Sequence, residues 1–133
     1  MNVAFHAWLS KGGTKGATVR YNRVTSNIGN GYNVNTGKFV APVSGTYLFS
    51  VTVMGKSGCN EHLDIFKNND RVGMVRSEKS KDLDSGTNVL VMDVTSSDVV
   101  YLKCFENGAC QCLFTYKDYA YNTFSGFLIK QHN

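Results

Sequence analysis

Four cysteines, Cys59, Cys104, Cys110 and Cys112, carry the most reactive atoms in the chain. Three of them fall in "CFENGACQC", around an Asn107–Gly108 pair that marks a tight turn. If Asn107, Gly108 and Ala109 form a three-residue loop, Cys104 lies opposite Cys112 and the two can be bridged. Cys110 is then left for Cys59 in the "KSGCNEH" stretch. That pairing is one of the three that four cysteines allow. Two other readings are free thiols and a zinc site, in which Cys110 and Cys112 are completed by Cys59 and His62. The zinc reading lacks the Cys-x2-Cys spacing of structural sites. An even count beside turns fits disulfides in an oxidising compartment, and disulfides are the expectation.

The histidines point to no catalysis. His6 and His62 have no acid and nucleophile nearby in sequence, and His132 lies in the tail. No serine or aspartate sits in a nucleophile elbow or similar frame. A non-enzymatic protein with no required cofactor is expected.

The elements that must position these residues are strands. "VAFHAWLS" alternates Val3, Phe5, Ala7 and Leu9 against His6, Trp8 and Ser10. "KGGTKGAT" reads as a glycine-rich turn, "VRYNRV" as a short strand and "SNIGNG" as a loop. Pro42 is the only proline, and a proline cannot donate to a strand ladder. "APVSG" is therefore a corner, with Gly45 supplying turn geometry. From it starts the longest alternating run, with Tyr47, Phe49, Val51 and Val53 directed inward. "HLDIFKN", "RVGMVRS", "TNVLVMDV", "DVVYLKCF" and "TFSGFLIK" follow, with "EKSKDLDSG" as a charged loop. About ten short strands from residue 3 to residue 131, without helices, predict one β-sandwich or barrel domain over residues 1–133.

Three late strands are apolar on both parities: Leu90 and Met92 beside Val89 and Val91, Val100 and Leu102 beside Tyr101, Phe127 and Ile129 beside Phe124 and Leu128. A sandwich strand needs one apolar face for its own core, so the surplus implies a second buried surface. Leu90, Met92, Val100, Leu102, Phe127 and Ile129 are the expected contacts with sister copies.

Composition excludes several classes. The net charge is +4, and residues 1 to 60 contain six basic side chains and no acidic one. These cations are scattered rather than clustered, which argues against nucleic acid as a partner. No apolar stretch approaches the roughly 20 residues of a membrane helix. The opening "MNVAFHAWLS" lacks the basic and apolar regions of a signal peptide and reads as the start of a mature domain. No Asn-x-Ser/Thr sequon is present.

Tyr21, Asn27, Tyr32, Phe39, Gly45, Tyr47 and Phe49 carry a resemblance. Their spacing is similar to the signature of the globular-head domain of complement C1q, a family allied to tumour necrosis factor. Tyr21 stands where phenylalanine is usual and Val51 where an aromatic is usual. "FHAWL", "IFKNN", "SSDVVYL" and "TFSGFL" resemble further family segments, so the likeness runs from Phe5 to Leu128. It implies a ten-stranded jelly-roll sandwich that assembles as a compact homotrimer. It also implies a secreted head, most like standalone molluscan relatives, that recognises glycans or microbial surfaces in innate immunity. A hormone- or cytokine-like ligand for a host receptor and an extracellular matrix or biomineral component are the alternatives. Some relatives bind calcium near the trimer apex, which makes Asn60, Glu61, Asn69 and Asp70 the candidate calcium ligands here. For ligand recognition the exposed candidates are Arg71, Arg76, Lys79 and Lys81 around the charged loop, and Tyr116, Tyr119 and Tyr121 in "YKDYAY". Aromatic faces stack on sugars, and cations pair with acidic ones.

Overall fold

A computed structural model of the chain describes residues 1–108 and 110–133. Ala109, part of the three-residue loop expected from the sequence, lies outside the described residues. The strands are β1 Ala4–Trp8, β2 Thr14–Lys15, β3 Thr18–Val19, β4 Arg23–Ile28, β5 Tyr32–Asn33, β6 Lys38–Val40, β7 Gly45–Gly55, β8 Glu61–Lys67, β9 Asp70–Ser77, β10 Asp84–Val94, β11 Val99–Cys104 and β12 Thr123–Gln131. A short 3-10 turn covers Phe105–Asn107. One sheet has the order β10-β7-β12-β1-β4. In the other, of seven strands, β11 is central. There β8 runs along one side of β11, and β3 and β6 pair with it through Lys103 and through Val99 and Val100. The expected all-β sandwich is the observed architecture, with every pairing antiparallel.

Strict alternation in β7 puts Tyr47, Phe49, Val51 and Val53 between the sheets, all fully buried. They meet an aromatic centre. Phe5 stacks on Phe39 at 4.7 Å between ring centroids and meets Phe124 edge-on at 4.8 Å, and Tyr32 lies 5.5 Å from Phe5. Offset and edge-on pairs of this kind add about 0.5–1.5 kcal/mol each beyond burial. Pro42 does sit at a corner between β6 and β7. Gly45 is glycine for a different reason from the one expected. It already belongs to β7, and a Cβ there would lie 2.5 Å from the Lys130 carbonyl oxygen of the neighbouring strand.

Two features depart from the sequence reading. Ser26 to Ile28, expected in a loop, complete β4, while Arg20 to Asn22 leave the ladder. β4 is an edge strand with mostly exposed side chains, so burial imposes no alternation on its sequence. The second departure is Asn122, only 1% exposed. Its Oδ1 accepts the Met54 N–H at 2.8 Å, and its Nδ2 donates to the Phe114 carbonyl at 2.8 Å. This amide fastens the segment 105–122 to the end of β7. Asn122→Ala strands these buried partners at about 1–3 kcal/mol each. The expected result is a loss of about 3 kcal/mol in a urea titration, with Asn122→Asp recovering part of it through the Met54 N–H.

Candidate functional site

Cross-strand register assembles a surface that no single segment encodes. On the outer face of the five-stranded sheet, Val91 pairs with Leu48, Leu48 with Phe127, Phe127 with Ala4 and Ala4 with Ile28. The result is an unbroken apolar row about 19 Å wide at ordinary strand spacing. Its members stay in water within one copy: Val91 is 62%, Ile28 54% and Phe127 45% exposed. The next row is Val89, Ser50, Ser125, His6 and Ser26, in which His6 Nδ1 and Ser125 Oγ are hydrogen-bonded. Beyond it lie Thr87, Thr52, Thr123 and Trp8, ending at Arg23 on the edge strand. Charges are kept to the rim, where Arg23 meets Asp118 at 3.2 Å and Asp93 meets His132 at 3.5 Å. An apolar centre with few charges and a polar rim is the anatomy of a protein interface.

The expected interface residues are partly corrected. Val100 and Leu102 are fully buried in the chain's own core. The second apolar face of β11 is covered from within, because Tyr101 lies under Lys38 at 4.6 Å and against Phe66 at 5.7 Å. Leu90 and Met92 belong to the inward parity of β10 and pack on the core, so the outward residues of that strand are Val89 and Val91. Phe127 and Ile129 are exposed where expected. Leu48, Ala4 and Ile28 were missed, because each is one apolar residue in a strand that gives no sign of surplus.

One end of the sandwich gathers the connections 56–60, 78–83 and 105–122. Both disulfides lie here, and their pairing corrects the sequence expectation. Cys104 is bonded to Cys110 and Cys59 to Cys112, with Cα separations of 5.6 and 5.9 Å. The 3-10 turn at Phe105–Asn107, with Glu106 and Asn107 at positive φ, replaces the expected hairpin and brings Cys110 back to Cys104. Cys112 then continues to the β7–β8 connection, where its N–H donates to Glu61 Oε2 at 2.8 Å. Burial pushes the Glu61 carboxyl above the usual glutamate value, and that hydrogen bond partly offsets the rise. With all four sulfurs in disulfides, the zinc and free-thiol readings fall away.

The candidate recognition residues do not form one cluster. Tyr116 and Tyr119 stack at 5.8 Å, Tyr121 lies 6.0 Å from Tyr119, and Lys117 sits over Tyr116. The exposed rings of Tyr116 and Tyr119, with the partly buried Tyr121, form a patch beside Arg23, whose guanidinium covers Trp8 at 5.2 Å. Lys79 and Lys81 line a shallow hollow of about 340 Å³ with Ser57 and Ser80. Arg76 is paired with Glu78, and Arg71 lies at the far end of β9, 3.8 Å from Asp64. The calcium candidates are also divided. Asn60 and Glu61 lie at the start of β8, and Asn69 and Asp70 beyond its other end, about 20 Å away along the strand. As a set within one copy they do not fit a single ion, which needs six to eight converging oxygens.

The chain is an antiparallel two-sheet jelly roll with an apolar outer face and loops tied by disulfides. The C1q domain profile matches residues 4–129, and the chain belongs to that family. It is 31% identical over 133 residues to mouse complement C1q tumor necrosis factor-related protein 3, covering 97% of this chain and 52% of that protein, and the human counterpart gives the same figures. Mouse complement C1q tumor necrosis factor-related protein 1 is 30% identical over 99 residues, covering 74% of this chain and 35% of that protein. The chain thus spans about half, or less, of the length of these relatives. Among solved structures, the globular domain of zebrafish complement 1qA superposes with a TM-score of 0.75 at 20% identity, covering 99% of this chain and 100% of that one. Murine APRIL gives 0.75 at 10% identity, covering 97% of this chain and 100% of that one. Eiger TNF from S. frugiperda gives 0.72 at 8% identity, covering 99% and 95%. No helix among the described residues is long and apolar enough to cross a membrane.

Proposed function

We propose that the chain is a secreted, non-enzymatic recognition head that assembles as a homotrimer through its five-stranded sheet and binds glycans on microbial or other surfaces. The apolar row Val91–Leu48–Phe127–Ala4–Ile28 carries this reading. A face of that kind is costly to leave in water, and a second and third copy of the same chain cover it with matching chemistry. Assembly supplies the affinity. A weak saccharide site becomes useful when three act together, because the later contacts are intramolecular. The stacked tyrosines 116 and 119 offer ring faces of the kind on which sugars rest.

Light scattering of the purified protein tests the assembly. The expected particle is three times the 14.7 kDa chain, unchanged by chelator. A monomer at micromolar concentration overturns it. Binding to immobilised bacteria or a glycan array, released by free sugar, is the expected outcome for recognition. The relatives named as tumor necrosis factor-related support a second reading, a ligand for a host receptor. Saturable nanomolar binding to host cells, insensitive to free sugar, would establish that reading in its place.

A further inference from the structure

The two outer faces of the sandwich differ in kind. The five-stranded face is apolar and hydroxyl-rich, whereas the seven-stranded face is cationic. Register places Lys15 opposite Thr18, Thr18 opposite Lys103, and Lys103 opposite Asp64. The neighbouring row holds Asn33 opposite Lys38, then Tyr101 opposite Phe66. Two of these cations are held in place by aromatic rings: Lys38 Nζ lies 4.6 Å from the Tyr101 centroid and Lys103 Nζ 4.8 Å from that of Phe66. The rings are themselves fixed. They stack on one another, and the Tyr101 hydroxyl donates to the Asn68 carbonyl at 2.8 Å. Cation–π contacts of this kind leave the ammonium facing outward with little freedom left to lose on binding.

Lys38 forms the ridge between two adjoining depressions. One, of about 440 Å³, is lined by the amides of Asn33, Asn68 and Asn69, by Thr36, and by an apolar wall of Val40 and Val99. The other, of about 320 Å³, shares Thr36 and Lys38 and adds Lys15 and Thr18. No carboxylate lines either one. Two carboxylates close to these residues are held by protein groups. Asp98 accepts from Asn68 Nδ2 at 3.0 Å and from the Thr95 N–H at 2.9 Å, which hold its carboxyl below the ordinary aspartate value. Asp64 is engaged by His62 and Arg71.

We infer that this double groove binds an acidic saccharide. Its carboxylate or sulfate would sit on the Lys38 ridge, with Lys15 on one side. Its hydroxyls would face Asn33, Asn69 and Thr36, and one apolar ring face would rest on Val40 and Val99. A small inorganic anion would engage the lysines and leave the amide lining and apolar wall unused. Recognition of single-stranded nucleic acid draws on exposed rings for base stacking, and Tyr101, the ring that lines the groove, is 7% exposed beneath Lys38. The inference rests on the recognition reading above and places its ligand away from the tyrosine patch, on the face that assembly leaves free.

Calorimetric titration of the assembled protein with a heparin-derived tetrasaccharide tests it. Lys38→Ala is expected to weaken binding at least fivefold, Lys38→Arg to retain most of it, and Lys56→Ala, an equal charge loss at the disulfide end, to change it less than twofold. Each variant is checked for an unchanged melting temperature and particle mass. Inorganic sulfate that displaces the saccharide at equal concentration, or duplex DNA that binds as tightly, overturns the inference. Full binding by Lys38→Ala combined with loss in Tyr116→Ala and Tyr119→Ala also overturns it while leaving the recognition reading intact. Absence of tetrasaccharide binding by the wild type with glycan-array binding retained overturns the inference alone, and absence of both removes both readings.

Discussion

Replacing Cys59 and Cys112 together with serine is expected to cost about 4 kcal/mol of stability, and to lower the melting temperature by about 10–15 °C. The bond closes a loop of sequence separation 53, whereas Cys104–Cys110 closes one of 6. Loop-closure entropy grows with the logarithm of that length, which puts the shorter bridge at about 2 kcal/mol. The structure adds a local reason for the difference. Among the described residues of the segment 105–122, Leu113 is the main buried apolar anchor. Its other attachments converge on the same place: Lys56 N–H to the Cys112 carbonyl at 2.7 Å, Phe114 N–H to the Met54 carbonyl at 2.9 Å, and Cys112 N–H to Glu61. Without the Cys59–Cys112 bond these hydrogen bonds must hold the segment alone. Thermal melts of the two double-serine variants decide the matter. A larger loss in Cys104→Ser/Cys110→Ser than in Cys59→Ser/Cys112→Ser would refute the ranking.

What the sequence reveals depends on how far a signal travels along the chain. β7 is legible because its alternation is local, and every inward residue named from it is buried. The oxidised state of the cysteines follows from their even number beside turns. Their pairing does not, because it turns on whether "FENGAC" folds as a hairpin or as a 3-10 turn. Asn107 and Gly108 suit either shape, and two residues at positive φ select the turn. The parity of β10 fails for a related reason. Val89, Leu90, Val91 and Met92 are equally apolar, and only the packing of Leu90 over Gly73 shows which pair faces inward. The apolar row and the cationic groove lie furthest from the sequence. Each takes single residues from strands far apart in the chain and exists only once register is set. Lys15 and Lys38 were visible in an acid-free first half, but Lys103 lies outside it, and nothing in the sequence marks Tyr101 and Phe66 as the rings that hold Lys38 and Lys103.

Phe127→Asp is expected to convert the proposed trimer into a folded monomer. Phe127 stands at the centre of the apolar row, between Leu48 and Ala4, on the middle strand of the five-stranded sheet. Within one copy it is half exposed, so a carboxylate there remains hydrated and the fold loses little. In a trimer the same carboxylate would face the sister copies among Val91, Leu48 and Ile28, with no cation in its row. An unpaired charge buried in this way costs at least about 3 kcal/mol per copy, or more than 100-fold in association. The serine and histidine row gives an internal control. Ser50→Thr adds one methyl group on the same face, one row away, and is expected to keep the assembly intact. Sedimentation velocity should then show Phe127→Asp as a 14.7 kDa particle with a near-native melting curve, and Ser50→Thr at three times that mass. A Phe127→Asp protein that still sediments with the wild type would mean that another surface joins the copies. The five-stranded face would then be left uncovered, and the apolar row would lose its role in joining the copies.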